Sequence, residues 1–455
     1  MNLYLKKTIT IKKIIAMKRK IFLFTGAVTL LFALNSCKNN LDLDKELKFS
    51  TQTVEQQKAT LEQNGIDFIN KVDALQDTKA MIALQAFSSY AGSPNLVKSL
   101  VQLRTNVLKN NVTALDKFNG QMKALATSTA VEDDVWGTYT WNFTEENFDF
   151  TASSSKVIIM KFPGTEGSNT NNGELKITYV ESSVVAPDSD PVQYMPKECT
   201  LVLKVNNSVA MEAKFTGTYY ADATPKSVTQ TLEIDKYNWK LQYKNDEEDA
   251  SAKYAFNYGS DVLLKFEVAA AGTLTATAIE DMANGGSEAN DIFSSGAVYF
   301  QVMNVAMLGG FKDFNAFYNE MDALNYSDTK SYYDDQADVF NKYLIMYGYF
   351  VKENKKFADV EFYAAEIQVP DYSSQSTLVY TSTNYVTSPV EYDYYNYEYN
   401  QTSGYYVYNY YAYGTKTGYE LQPRMVLSDG SKVAVEDFLA SGFEDLINKV
   451  QSYQQ

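Results

Sequence analysis

Histidine is absent from all 455 residues. Its absence removes Ser-His-Asp and Cys-His nucleophile activation and every histidine-ligated zinc or iron site. Cysteine occurs only twice, at Cys37 and Cys199. Any acid–base chemistry would have to rest on Asp, Glu, Lys or Tyr. Positive charge is scarce: 40 Lys and Arg stand against 56 Asp and Glu, a net charge of −16. The first 36 residues hold seven of the basic residues and no acid. That leaves 33 against 56 in residues 37–455, a net charge of −23. Such a surface repels nucleic acid and anionic lipid, and no basic cluster overrides it. No nucleic-acid partner is expected. Long apolar runs are missing too. The longest near the start, Ile21–Leu34, has 14 residues, and a spanning helix needs about 20. After Cys37 no run reaches that length.

What is present begins with an export signal. Lys18-Arg19-Lys20 precede the uncharged run IFLFTGAVTLLFAL. A basic start, a short apolar middle and small residues before a cut describe a secretory signal over residues 1–36. Met17 stands directly before the basic block, so either it is the true start or residues 1–16 are a long basic extension. Leu34-Asn35-Ser36-Cys37 resembles the bacterial lipobox. The resemblance implies a diacylglyceryl group on the Cys37 sulfur, cleavage that makes Cys37 the N-terminus, and the membrane as partner through that lipid. Several acyl chains anchor stably where one is marginal, at about 0.8 kcal/mol per buried CH₂. The alternative is a signal cut elsewhere, with Cys37 a free thiol. If Cys37 is lipidated, Cys199 has no disulfide partner, and thiolate metal sites are excluded as well.

Residues 37–50 read as a polar tether. Lys38, not Asp, follows the cysteine, so the enterobacterial inner-membrane retention signal is not matched. Asp42, Asp44 and Glu46 loosely resemble the acidic export signal of Bacteroidetes surface lipoproteins. The expected location is the outer membrane, lipid-anchored, on the periplasmic or cell-surface face. The lipobox, helical start and Tyr- and Asn-rich β segments together resemble uncharacterised Bacteroidetes outer-membrane and surface lipoproteins. That resemblance implies a location and no activity.

Residues 51–128 read as helical. Thr53 and Gln56 fit a capping box, and Ile66, Ile69, Val72, then Met81, Leu84 and Phe87 recur at helical spacing. Ser93-Pro94 starts a further helix, with Leu96, Leu100, Leu103 and Val107 on one face. Over 131–275 nine short alternating segments follow, from WGTYTWNF to VLLKFEV, separated by turn signals such as GTEGSNTNNG, VNNS and KNDEEDAS. Residues 276–350 return to a helical pattern. Residues 351–455 are β-rich and close on an amphipathic helix near Val435–Gln451. The expected fold is α+β: an N-terminal bundle of short helices, a large antiparallel β-sheet (sandwich or open barrel) with an inserted helical segment, and a C-terminal helix.

Glu391–Gly414 holds eleven of the 36 tyrosines. Asn400–Gly404 is a turn signal, so the stretch reads as a hairpin. Tyr395, Tyr397 and Tyr399 share one face of its first strand, and Tyr406, Tyr408 and Tyr410 one face of its second. Stacked rings stabilise a sheet by roughly 0.2–1 kcal/mol per pair. They also suit the apolar faces of a glycan or a protein partner. The acidic clusters at Asp188/Asp190, Asp246–Asp249 and Asp334/Asp335/Asp338 lack the twelve-residue calcium loop and read as solvated loops. GTEGSNTNNG lacks a following Lys and reads as a hairpin loop. Cys199 alternates with Leu201, Leu203 and Val205 and reads as a buried small hydrophobe.

No catalytic residue, metal site or cofactor is assigned. The expected role is non-enzymatic binding or structure through an aromatic surface. The alternatives are a carbohydrate-active enzyme using Asp/Glu and a carrier of an apolar ligand in an open β-barrel. Lipidation is directly testable. Cys37→Ser should move the protein from the membrane to the soluble fraction, and undiminished membrane retention of that variant would refute the lipobox reading.

Overall fold

A computed structural model describes Leu41, Leu43 and residues 46–89, 136–186, 194–327, 329–370, 400–401, 404–405 and 415–452. The fold is α+β. Helix α1 (Val54–Asp73) runs through a 3₁₀ turn (Ala74–Asp77) into α2 (Lys79–Ser88). Ten strands follow: β1 (Gly137–Asn142), β2 (Asn147–Ala152), β3 (Val157–Phe162), β4 (Gly173–Val185), β5 (Tyr194–Val205), β6 (Ser208–Tyr219), β7 (Pro225–Ile234), β8 (Tyr237–Asn245), β9 (Asp249–Tyr258) and β10 (Asp261–Gly272). Then come α3 (Ala276–Ala283), α4 (Ala289–Ile292), β11 (Phe293–Val302), β12 (Val305–Phe311), α5 (Phe314–Asp322), α6 (Lys330–Tyr343), β13 (Leu344–Phe350) and β14 (Lys355–Pro370). The two-residue strands β15 (Asn400–Gln401) and β16 (Gly404–Tyr405) pair with each other. β17 (Thr415–Leu427), β18 (Lys432–Ala434), α7 (Val435–Leu439) and α8 (Glu444–Ser452) close the chain. Among the described residues no helix is long and apolar enough to cross a membrane.

Sixteen strands form one open sheet in the order β18-β17-β14-β13-β12-β11-β10-β9-β8-β7-β6-β5-β4-β3-β1-β2. Neighbours in sequence are mostly neighbours in space, as short turns require. The ladder between β1 and β3 is parallel, because β2 lies on the outer side of β1 and the chain returns past it. The chain divides into two compact units, residues 1–319, 343–360 and 425–455, and residues 320–342 and 361–424.

In the larger unit the alternation read from sequence becomes two unlike faces. Leu201, Leu203, Val205, Met211, Ala213, Leu232, Ile234, Tyr237, Trp239 and Phe256 face one way. They form a buried cluster with Val72, Leu75, Met81, Leu84 and Phe87 of the helices. Each such side chain contributes roughly 1.5–3 kcal/mol when fully buried. Lys204, Glu212, Lys214, Glu233, Lys240 and Gln242 alternate with them and meet water to varying degrees. Cys199 continues the apolar row, packed with Phe215, Ile177, Tyr179 and Val228. Its thiol is pushed up to about 11 by desolvation.

Helix α1 starts at the expected box: the Gln56 amide N–H donates to Thr53 Oγ1 and the Thr53 amide to Gln56 Oε1. It then lies across the tips of alternate hairpins. Lys71 reaches Asp261 at the β9–β10 tip (3.0 Å). Asn64 Oδ1 accepts from the amide of Asn304 at the β11–β12 tip (2.9 Å). Gln52 donates to Glu353 at the β13–β14 tip (2.9 Å). From Lys71 to Asn64 the spacing is geometric: two strands cover about 9.6 Å, and seven helical residues about 10.5 Å; Gln52 precedes the helix and reaches the third tip from outside it. Tyr237, 2% exposed, donates its hydroxyl to the Lys71 carbonyl (2.6 Å), one of the carbonyls that a helix end leaves without an internal partner. Glu62 Oε1 accepts from the amides of Asp445 and Leu446 (2.9 and 3.2 Å), which caps α8. Gly65 lets that helix close in: a Cβ there would lie 2.7 Å from Leu446 Cδ2.

Three stretches depart from the sequence reading. Residues 293–311, read as helical, form the hairpin β11–β12, and 344–350 form β13. Gly309-Gly310 shows why a strand wins: a Cβ on Gly310 would sit 2.0 Å from the Gly296 carbonyl oxygen of the partner strand. The helical reading holds for α3–α6. The C-terminal helix is two helices, broken at Gly442, whose φ of +85° favours glycine. The stretch read as a tether is packed against the sheet at Leu47. The expected helix start at Ser93-Pro94 lies outside the described residues.

Two consequences can be measured. Asn64→Ala should cost about 1–3 kcal/mol by stranding the Asn304 amide, and Tyr237→Phe about 1 kcal/mol. Because their anchor points on α1 are about 10 Å apart, urea denaturation of the double variant should show the sum of the two losses to within about 0.5 kcal/mol. Cys199 should react with iodoacetamide at pH 8 at least about tenfold more slowly in the folded chain than in the urea-unfolded one. Equal rates would contradict its burial.

Candidate functional site

Tyrosines divide by what their hydroxyls do. In the larger unit Tyr219 donates to the Pro196 carbonyl (2.9 Å), Tyr220 to the Asn245 carbonyl (3.0 Å) and Tyr299 to Gln301 Oε1 (2.5 Å). Burial pushes the phenols of Tyr179, Tyr219 and Tyr237 up to about 12. Tyr237 and Tyr299 are core and Tyr179, Tyr219 and Tyr220 are half-buried, and each donated hydroxyl has a partner inside the structure.

The smaller unit uses its aromatics differently. Helix α6 buries Ala337 and Val339, sets Phe340 4.9 Å from Phe362, and bonds Asn341 to the main chain of Phe362 in both directions (2.9 and 2.7 Å). Arg424 pairs with Glu361 (2.5 Å) and lies 4.6 Å over the Tyr363 ring. The N-terminal turn of α6 carries Tyr332 and Tyr333, and Tyr326 precedes it. Ser327 and Thr329 share a hydroxyl hydrogen bond (2.6 Å), and the Tyr332 amide donates to the Thr329 carbonyl (3.1 Å), which shapes the approach. The three rings meet edge to face: Tyr326 to Tyr332 at 5.4 Å and Tyr332 to Tyr333 at 5.4 Å. Gln336 donates to the Tyr332 hydroxyl (2.9 Å) and steadies the middle ring. Tyr326 is 79% exposed. A tyrosine held by neighbouring rings yet open to water offers a flat apolar face with a polar tip.

Acids edge this cluster. Asp334, Asp335 and Asp338 are exposed on α6, and Lys330 holds Asp334 at 2.8 Å. The hydrogen bond to Asp334 draws the Lys330 ammonium upward. Carboxylates beside aromatic faces can accept hydrogen bonds from sugar hydroxyls or pair with a basic protein segment.

The remaining sequence-derived candidates fall as follows. Cys37 and all six tyrosines, Tyr395, Tyr397, Tyr399, Tyr406, Tyr408 and Tyr410, lie outside the described residues, as do Asp188 and Asp190. Between the two tyrosine runs the chain reverses, with Asn400 opposite Tyr405 and Gln401 opposite Gly404. Asp246 is a turn residue, accepting from the Asp249 amide (2.8 Å) and paired with Lys244 (3.0 Å). The Lys244 hydrogen bond lowers its carboxyl first and the Asp249 amide second. Glu55 is lowered first by its own amide and then by Thr53, Asp429 by Ser431, and Glu444 by its own amide and that of Gly442. GTEGSNTNNG is the β3–β4 hairpin loop, with Phe162 opposite Gly173. Among the described residues no group of three or more Cys, Asp or Glu is placed to hold a metal ion.

Tyr326, Tyr332 and Tyr333 were not singled out by sequence reasoning. The available signal was a pair of adjacent tyrosines at a helix start, six residues after a third. The eleven-tyrosine stretch draws attention away from so small a group. No protein-family model, curated protein or solved structure matches this chain.

Proposed function

We propose that the chain is an exported lipoprotein, held in the outer membrane by lipid on Cys37 with its body on the periplasmic or cell-surface face. Its role is that of a binding module, and the contact is aromatic. The observation that carries this reading is the ring cluster of the smaller unit, with Tyr326 79% exposed and set edge to face on Tyr332, which Tyr333 contacts in turn. Tyr326 is by far the most exposed of the large apolar side chains of the described residues that are open to water. Aromatic side chains are enriched where surfaces bind partners. The partner chemistry that fits is a glycan, whose apolar ring faces stack on tyrosine and whose hydroxyls bond carboxylates, or a protein segment with basic residues.

Tyr326→Ala with Tyr332→Ala should weaken binding about tenfold or more, the equivalent of about 1.4 kcal/mol lost from a central aromatic contact. The substitutions sit at the surface, so the melting temperature should fall by no more than a few degrees. A glycan array and capture of cell-envelope proteins on the immobilised chain supply the readouts. Absence of any ligand for the unmodified protein in both, or unchanged binding by the double variant, would refute the aromatic contact.

A further inference from the structure

The residues ahead of α1 are seated on the sheet. Leu47 is 8% exposed and lies in a cluster with Tyr299, Ala306, Leu308 and Tyr347, against which Leu41 and Leu43 also pack. These sheet residues are on the opposite face from Val305 and Phe350, which belong to the cluster under the C-terminal helices. The backbone is tied as well. The Ser50 amide donates to the Lys356 carbonyl (2.7 Å) and the Lys356 amide to the Lys48 carbonyl (2.9 Å), so Phe49 forms a parallel bridge with Lys356. The Lys356 ammonium lies 4.8 Å from the Phe49 ring and 5.8 Å from the Tyr347 ring, and 2.7 Å from Asp359.

Two facts follow from this seating. Leu41 is the fourth residue after Cys37, and an extended chain covers at most ~3.6 Å per residue. A group on Cys37 therefore stays within about 14 Å of a residue packed on the sheet. The second fact is charge. Residues 41–50 and the β13–β14 tip they bond to, residues 351–360, hold Lys45, Lys48, Lys352, Lys355 and Lys356 against Asp42, Asp44, Glu46, Glu353 and Asp359, five of each sign. On a chain that is −23 beyond residue 36, this region is neutral, so an anionic surface repels it less than it repels the rest of the body.

We propose that the stretch carrying Leu41, Leu43 and Leu47 is a docked strap that holds the β11–β13 side of the body at the bilayer surface, so that the body lies against the membrane instead of hanging from a loose linker. This rests on the reading that Cys37 is lipidated.

The experiment uses the mature lipoprotein in phosphatidylethanolamine–phosphatidylglycerol vesicles containing an acceptor-dye lipid, in a Cys199→Ala background. A donor dye is placed on Lys352→Cys, at the β13–β14 tip, or on Val209→Cys, exposed on β6 and seven strands away in sheet order. Seven strands cover about 34 Å, so energy transfer to the lipid should be at least about twofold greater from position 352. Leu41→Ser with Leu43→Ser, which leaves Leu47 in place to hold the fold, should bring the two positions level. Equal transfer from both sites in unaltered protein that floats with the vesicles would overturn the placement and leave lipidation standing. Persistence of the difference in the Leu41→Ser, Leu43→Ser variant would overturn the strap. Failure to float would remove the lipid reading and the placement with it.

Discussion

The larger unit depends on one arrangement: helix α1 laid across the tips of alternate hairpins. An open antiparallel sheet of many strands has no closure to hold its curvature or order. Here the restraint is a rod whose residue spacing from Lys71 to Asn64 matches the spacing of the β9–β10 and β11–β12 tips. Lys71, Asn64 and Gln52 meet the β9–β10, β11–β12 and β13–β14 tips in turn. The same helix continues into α2, whose Leu84 and Phe87 are fully buried, so the clasp and the core lid are one length of chain. The tips accept this because their backbones are already bent: Met303 and Asn354 have φ of +52°, a conformation rare outside glycine. At the β11–β12 tip, Gln301 and Asn64 satisfy the polar groups exposed by the bend.

The C-terminal helices extend the same logic. Glu62 caps α8 and Lys58 donates to the Ser441 carbonyl (3.1 Å) while lying 4.9 Å over the Phe438 ring. Residues nearly 400 positions apart are thereby joined on one helix. Such long-range closure is costly in chain entropy, and it is offset by burial of Phe350, Phe357, Leu427, Phe438 and Phe443 in a shared cluster.

Without histidine, tyrosine carries much of the chain's polar–apolar chemistry. In the larger unit its hydroxyl is spent on carbonyls inside the structure, as at Tyr237 and Tyr219, and burial raises those phenols far above neutral pH. In the smaller unit Tyr326 is left in water. The same residue type is a core filler or an exposed ring according to what packs over it, which explains why counting tyrosines could not locate the exposed cluster.

The sequence by itself determined the nine alternating segments that became β1 and β3–β10, the capping box of α1, the buried Cys199 and the α+β class, because each is a local pattern: period two, a side chain three residues from an amide, or apolar neighbours two apart. It also marked the eleven-tyrosine stretch and a stretch that reads as an export signal, both of which lie largely beyond the described residues. Only the tertiary structure decided that 293–311 is a hairpin, because a short apolar run has no period that separates buried strand from helix, and the decisive contact is Gly310 against Gly296. It alone decided that Leu41, Leu43 and Leu47 dock, that Gly442 splits the last helix, and that Tyr326, Tyr332 and Tyr333 meet. Each of these is settled by what lies across a gap from a distant part of the chain, and spacing along the sequence carries no measure of that distance.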